Sequence, residues 1–100
     1  MSSSNYKSNS YFSHEFPLAI SPQKRQKELA LHAHDFMELV VVIAGRGLHY
    51  TQTEKYEIQR GSVFVIQPGH AHGFLETRSL HLVNILFDLS WFDRLTAEIP

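Results

Sequence analysis

Residues 31–39, LHAHDFMEL, carry two histidines one residue apart and a glutamate four positions after the second. Imidazole nitrogens and a carboxylate suit divalent cations, and they also hydrogen-bond well to hydroxyl groups. On a strand, His32 and His34 project from one face with Cβ atoms about 7 Å apart, a span two imidazoles bridge to one ion. Glu38 is harder to place. Four residues of straight strand carry it about 13 Å from His34, so joint ligation requires a bend within DFM. A further donor comes from PGHAHGF, where Pro68-Gly69 turns the chain and either His70 or His72 then points inward. Such a set suits Zn, Ni, Mn or non-haem Fe equally. Without an ion, the same groups line a pocket and hydrogen-bond to each other or to a hydroxylated ligand.

Other chemistries find little support. The chain has no cysteine, and no serine stands in a Gly-x-Ser-x-Gly turn, so nucleophilic catalysis lacks its residue. GRG, residues 45–47, lacks the length and the following helix of a phosphate cradle. Among the remaining histidines, His49 is the best candidate for the pocket wall; His81 reads as half-buried and His14 as solvent-facing. Arg46 and Arg60 beside glycines read as solvated turn residues.

One hundred residues with 43% hydrophobic content make one small domain. A formal net charge of -1 argues against a nucleic-acid surface on this segment, which would be basic. The longest apolar run, LVVVIA, is far too short to span a bilayer, so no membrane role is expected. The absence of cysteine fits a reducing cytoplasm. MSSSNYKSNSYFS has no apolar core of the kind a secretory signal carries. Its Ser- and Asn-rich composition predicts a mobile tail over residues 1–13, with the domain in 14–100.

These side chains must be positioned by strands. FMELVVVIAG is dense in β-branched residues, and GRGLHYTQTEKYEIQRG reads as two strands joined near Thr53-Glu54. SVFVI, a re-entry at HGF, and LHLVNILFD add further strands, while SPQKRQKE (21–28) reads as an exposed connection. Along 38–43, Glu38, Val40 and Val42 face one way and Leu39, Val41 and Ile43 the other; both sets are apolar apart from Glu38. The second face must then meet another sheet, a helix or a second subunit. Only SWFDRLTAE (90–98) reads as a helix, with Ser90 as N-cap and Trp91 and Phe92 packing it onto the domain. Many short strands suggest an all-β sandwich or barrel.

The combined pattern resembles the cupin superfamily. His32-x-His34, three residues, Glu38, six residues and Gly45 match the body of its first motif, with Gln26 in place of the leading glycine. GSVFVIQPGHAH keeps Gly61, Gly69 and His72 of the second, with Gln67 at the usual proline position and Glu76 at the terminal asparagine. A closer resemblance, over residues 28–90, is to the N-terminal sensor domain of AraC-type transcription regulators, nearest the rhamnose-responsive branch. That resemblance implies a jelly-roll barrel of two sheets, working in the cytoplasm and binding a small effector, commonly a sugar. It selects His72 over His70, giving His32, His34, Glu38 and His72 as the metal set. Ligand contacts would come from these four and His49, with Val40, Val42, Phe64 and Phe74 as apolar walls. It further implies homodimers and a C-terminal pair of helix-turn-helix units for DNA; no such units occur up to Pro100. The expected role is therefore effector sensing without catalysis, and the rival is a metal-dependent isomerase or dioxygenase.

Overall fold

In the computed structural model, residues 4–6 and 18–88 are described, with side chains over 18–88. Seven strands form: β1 (Ser4–Tyr6), β2 (Leu18–Gln23), β3 (Leu29–His34), β4 (Met37–Thr51), β5 (Lys55–Gln59), β6 (Val63–Ile66) and β7 (His72–Phe87). They make two facing leaves that share β4 and β7. The front leaf runs β1-β3-β7-β4-β5 through the N-terminal half of β7 and the C-terminal half of β4. The back leaf runs β2-β7-β4-β6 through the other halves. All pairings are antiparallel except β1 on β3. The chain is thus an all-β jelly roll. The helix expected at 90–98, and the roles of His14, Trp91 and Phe92, lie outside the described residues. So does the tail apart from β1, which pairs Ser4 with His32 and Tyr6 with His34.

Two strands can serve both leaves only by bending, and the bend has a sequence cause. Gly45 adopts φ 77°, and Ser79 opposite it adopts φ 47°, with Glu76 at φ 49° nearby. Register shifts at 42–48 mark the same corner. A Cβ at Gly45 would collide with the Ser79 carbonyl, so only glycine allows β4 and β7 to turn together here. The HGF and LHLVNILFD segments, read separately from sequence, are therefore one strand of 16 residues.

The exposed connection expected at 21–28 is half strand. Ser21, Pro22 and Gln23 complete β2, and the turn begins only at Lys24. Proline is compatible because, among the described residues, β2 pairs with β7 alone, leaving its other side without ladder bonds to lose.

Between the leaves, Val40, Val42, Ile58, Ile66, Phe74, Leu80 and Leu82 form the core, with Leu29 and Phe64 packed against it. Val40, Leu80 and Leu82 have no exposure at all. The outer face of the back leaf is apolar too. Register aligns Val65, Leu39, Ile85 and Ile20 in one row and Val63, Val41 and Val83 in the next. Ile20, Val63 and Val65 remain more than half exposed there, so the second apolar face read from β4 is a surface among the described residues.

Candidate functional site

β3 delivers His32, Ala33 and His34 into the interior as its last three residues, all buried. The chain then bends at Asp35–Phe36 and re-enters as β4 in the opposite leaf. That bend is the one the spacing demands, and it returns Glu38 to His34: Glu38 Oε1 lies 3.7 Å from His34 Nε2. His72 opens β7 and pairs across the ladder with His32. Ligand atoms of His34, Glu38 and His72 all lie within 4.8 Å of one another. His32 stands outside that group, with its ring 4.3 Å from that of His72. His70 is exposed on the turn.

The hydrogen bonds fix how these rings present themselves. A carbonyl only accepts, so His34 donates from Nδ1 to Phe36 O at 2.7 Å, and its Nε2 is left as an unprotonated lone pair. His34 also stacks on Phe36, with centroids 4.1 Å apart and planes 7° from parallel. His32 Nδ1 donates to Ala30 O at 3.0 Å in the same way. His72 Nδ1 faces His49 Nε2 at 3.3 Å, so one of the two rings donates to the other. The Nε2 atoms of His34 and His72 are buried without any hydrogen-bond partner. Leaving such a nitrogen unpaired opposes folding by about 1–3 kcal/mol, which a bound ion or ligand hydroxyl would offset. The donor set therefore fits a divalent cation, with the backbone carbonyls and His49 orienting the ligands.

Burial sets the charges. Desolvation holds the His49 imidazole down to about 4, helped by His32, and His72 down to about 2, helped by His32, His49 and His34. His34 is lowered chiefly by burial as well. The Glu38 carboxyl is pushed up to about 7 by desolvation. Near neutrality without an ion, His34, His49 and His72 are thus neutral rings beside a half-ionised Glu38.

A pH dependence follows. Depressed histidines give stability that is complete above their unfolded value of 6.5 and is lost as pH falls toward their folded values. Glu38 works in the opposite sense, contributing stability below 4.5 that disappears as pH rises through about 7. Three histidines oppose one carboxyl. Denaturant midpoints of the metal-free protein should therefore fall between pH 7 and pH 5, by about 1–3 kcal/mol in stability. A flat profile would show that the rings are solvated.

The cluster borders a cavity of about 230 Å³. β3 and the bend after it contribute Leu29, His32, His34 and Phe36, with Gln26 from the connection before β3; the back leaf of β2, β4 and β7 contributes Ser21, Gln23, Glu38, Asn84 and Leu86. Ser21, Gln23, Gln26 and Asn84 were not read as site residues from the sequence. The signal that marks Asn84 is its position: it breaks an inward row of Leu80, Leu82 and Leu86. Val40, Val42 and Phe74 sit in the core cluster beside the cavity. His49 and Phe64 pack with ring centroids 4.4 Å apart and planes tilted by 43°, and they border a separate cleft of about 500 Å³ that includes Tyr56, Val63 and Val65. A groove of about 340 Å³ around Arg46, Glu57 and Arg78 lies on the outside of the front leaf. Of these spaces, the smaller cavity is the one lined by buried, unpartnered polar atoms, those of His34 and Asn84.

Among the described residues no helix is long and apolar enough to cross a membrane. Comparison with known structures supports the fold. A cupin protein from Bacteroides fragilis superposes with TM-score 0.58 at 18% identity, covering 71% of this chain and 64% of its own. The polyketide cyclase RemF from Streptomyces resistomycificus superposes with TM-score 0.60 at 16% identity, covering 70% and 54%. At the sequence level, the HTH-type transcriptional activator RhaR of Mannheimia succiniciproducens is 38% identical over 96 residues, 92% of this chain and 35% of that protein. RhaR of Escherichia coli K12 is 35% identical over 81 residues, 81% of this chain and 29% of that one. The chain thus spans about a third of the length of these curated relatives. The model of the AraC-like ligand binding domain matches residues 18–100, and the chain belongs to that family.

Proposed function

We propose that this chain is the effector sensor of a transcription regulator, binding one small neutral molecule, a monosaccharide, in the cavity between its leaves. The observation that carries this is the half-open cavity of about 230 Å³ bordered by buried polar atoms of His34 and Asn84 that have no hydrogen-bond partner among the described residues. That volume lies below the ~300–1,000 Å³ of sites for drug-sized ligands, which suits a single sugar ring. L-rhamnose is the first candidate, given the resemblance to the rhamnose-responsive branch and the similarity to RhaR activators. The protein works in the cytoplasm as a homodimer, and it contacts DNA only through helix-turn-helix units C-terminal to this domain.

A ligand controls DNA binding only if it binds one conformational state better than the other, each 1.4 kcal/mol of difference shifting the ratio about tenfold. The pairing of β1 with residues 32–34 supplies a route, since movement of those side chains is felt directly by Ser4–Tyr6. The N-terminal tail is then the element with two arrangements.

A divalent ion of the Zn, Ni, Mn or Fe class fits the same reading, held by His34, Glu38 and His72 with His32 adjacent. Bound there, it would supply a Lewis-acidic contact for ligand hydroxyls. The second reading, a metal-dependent enzyme, is favoured by that same triad. Against it stands the similarity to transcriptional activators. Calorimetric titration of the metal-free and metal-loaded protein with neutral monosaccharides, L-rhamnose first, separates the two. Saturable binding with the sugar recovered unchanged supports sensing; conversion of the sugar by the loaded protein overturns it.

A further inference from the structure

His34 and Glu38 of the metal-capable triad line the cavity, and so do Asn84 and Ser21, on the same leaf as Glu38. Asn84 lies on β7 with Ser21 as its ladder partner on β2 and Val40 as its partner on β4. It is inward: Leu82 and Leu86, two positions to either side, are buried at 0% and 3% exposure. An amide in such a row opposes folding by about 1–3 kcal/mol unless its atoms are partnered, and a leucine would serve the core better. Yet Asn84 Oδ1 is buried with no hydrogen-bond partner. Beside it, Ser21 Oγ accepts from Gln23 Nε2 at 3.2 Å, which leaves the serine O–H free to donate. One wall therefore presents an unused acceptor next to an oriented donor.

We propose that Asn84 and Ser21 are the specificity-determining residues of the cavity, reading a neutral hydroxyl on the ligand that donates to the Asn84 amide while accepting from Ser21. This inference rests on the sugar-binding reading above and adds to it which wall selects and by what chemistry. A hydroxyl both donates and accepts, so it satisfies both groups at once. A methylene satisfies neither, and a carboxylate or phosphate oxygen cannot donate to the amide oxygen. Among the described residues no Lys or Arg lines the cavity to neutralise an anion, and Glu38, diagonal to Asn84 on the same leaf, is a carboxyl. The selected class is thus an uncharged polyol, with one hydroxyl discriminated strongly: a site built to hydrogen-bond a hydroxyl rejects the analogue that lacks it, because its buried groups are left unpaired.

The test is calorimetric titration of the whole chain with a panel of neutral pentoses, hexoses and 6-deoxyhexoses, L-rhamnose first, alongside uronic acids and sugar phosphates. The neutral sugar that binds best is then compared with its monodeoxy derivatives, on wild type and on Asn84→Leu and Ser21→Ala. The expected result is at least tenfold weaker binding of the charged sugars. Asn84→Leu should weaken the best sugar at least tenfold while its thermal midpoint is unchanged or raised, because the buried oxygen has no protein partner to lose. One monodeoxy derivative should bind wild type correspondingly weakly and lose nothing further on Asn84→Leu, a non-additivity that a merely structural role does not produce. If Asn84→Leu fails to fold, Ser21→Ala on the edge strand carries the same comparison, with the same derivative expected to be non-additive. Wild-type binding that the folded variant retains, or deoxy losses that are all additive, overturns the assignment to this wall and leaves the sugar-binding reading standing. No binding of any neutral sugar by wild type overturns both.

Discussion

Replacing Glu38 with glutamine is expected to stabilise the metal-free protein at pH 8 by roughly 3 kcal/mol, while removing any stabilisation by added divalent metal. The first half follows from burial: Glu38 is 7% exposed, and desolvation lifts its carboxyl from 4.5 to about 7. A carboxyl raised in the folded state contributes stability below its unfolded value and loses it as pH rises through the folded value. At pH 8 that loss is complete, and glutamine, of nearly the same shape, has none to suffer. The second half follows from ligation. An ion between His34, Glu38 and His72 selects the carboxylate, so the group that weakens the free protein strengthens the bound one. At a hundred times its dissociation constant, such an ion adds about 2.7 kcal/mol. Chemical denaturation at pH 8, with chelator and then with zinc or nickel, reads both effects. Should Glu38→Gln be the less stable protein under chelation, the carboxylate is already well satisfied in the fold. Should the variant respond to metal like wild type, the triad does not hold the ion.

Gly73→Ala is expected to destabilise the domain by about 3 kcal/mol or more and to separate the two halves of the site. A Cβ at this position would run into the carbonyl of Leu29, with Tyr50 ring carbons 2.7 and 2.9 Å away. The ring can rotate, but the carbonyl belongs to β3 and yields only if β3 moves away from β7. That pairing aligns Leu29 with Phe74 and His32 with His72. Tyr50 reinforces it by donating its hydroxyl to the same Leu29 oxygen at 3.3 Å. The variant should therefore lose ligand or metal binding together with stability. Adding Tyr50→Leu should not rescue it, because the backbone clash remains. Urea denaturation and metal titration of the single and double variants check this; near-normal binding in Gly73→Ala would show that β3 and β7 tolerate separation.

Much of this was written locally. Alternation along a strand placed His32 and His34 on one face, and the Glu38 spacing demanded a bend that the chain makes at Asp35–Phe36. Gly45, Gly47 and Gly61 read as bends or positive-φ corners; Gly45 and Gly61 adopt a positive φ, and Gly47 does not. Period-2 hydrophobicity and β-branched density identified the all-β class, because both depend on near neighbours in the chain.

What the sequence alone could not decide is where the interior is solid and where it is hollow. Val40, Val42 and Phe74 face inward as their alternation requires, yet they meet the opposite leaf and close the core. Asn84, Ser21 and Gln23 meet the cavity instead, though SPQ reads as a loop and Asn84 is one polar residue in an apolar run. The difference lies in which residues stand across the gap, and those are fixed by register between segments some sixty positions apart, such as Ser21 with Asn84. The same distance effect sets the charges: the Glu38 carboxyl is raised because β3, β6 and β7 shut water out around it, a fact no neighbouring residue encodes. Residue types and periodicity determined the donors and the strands; only packing between distant strands determined the void they face and the protonation they hold.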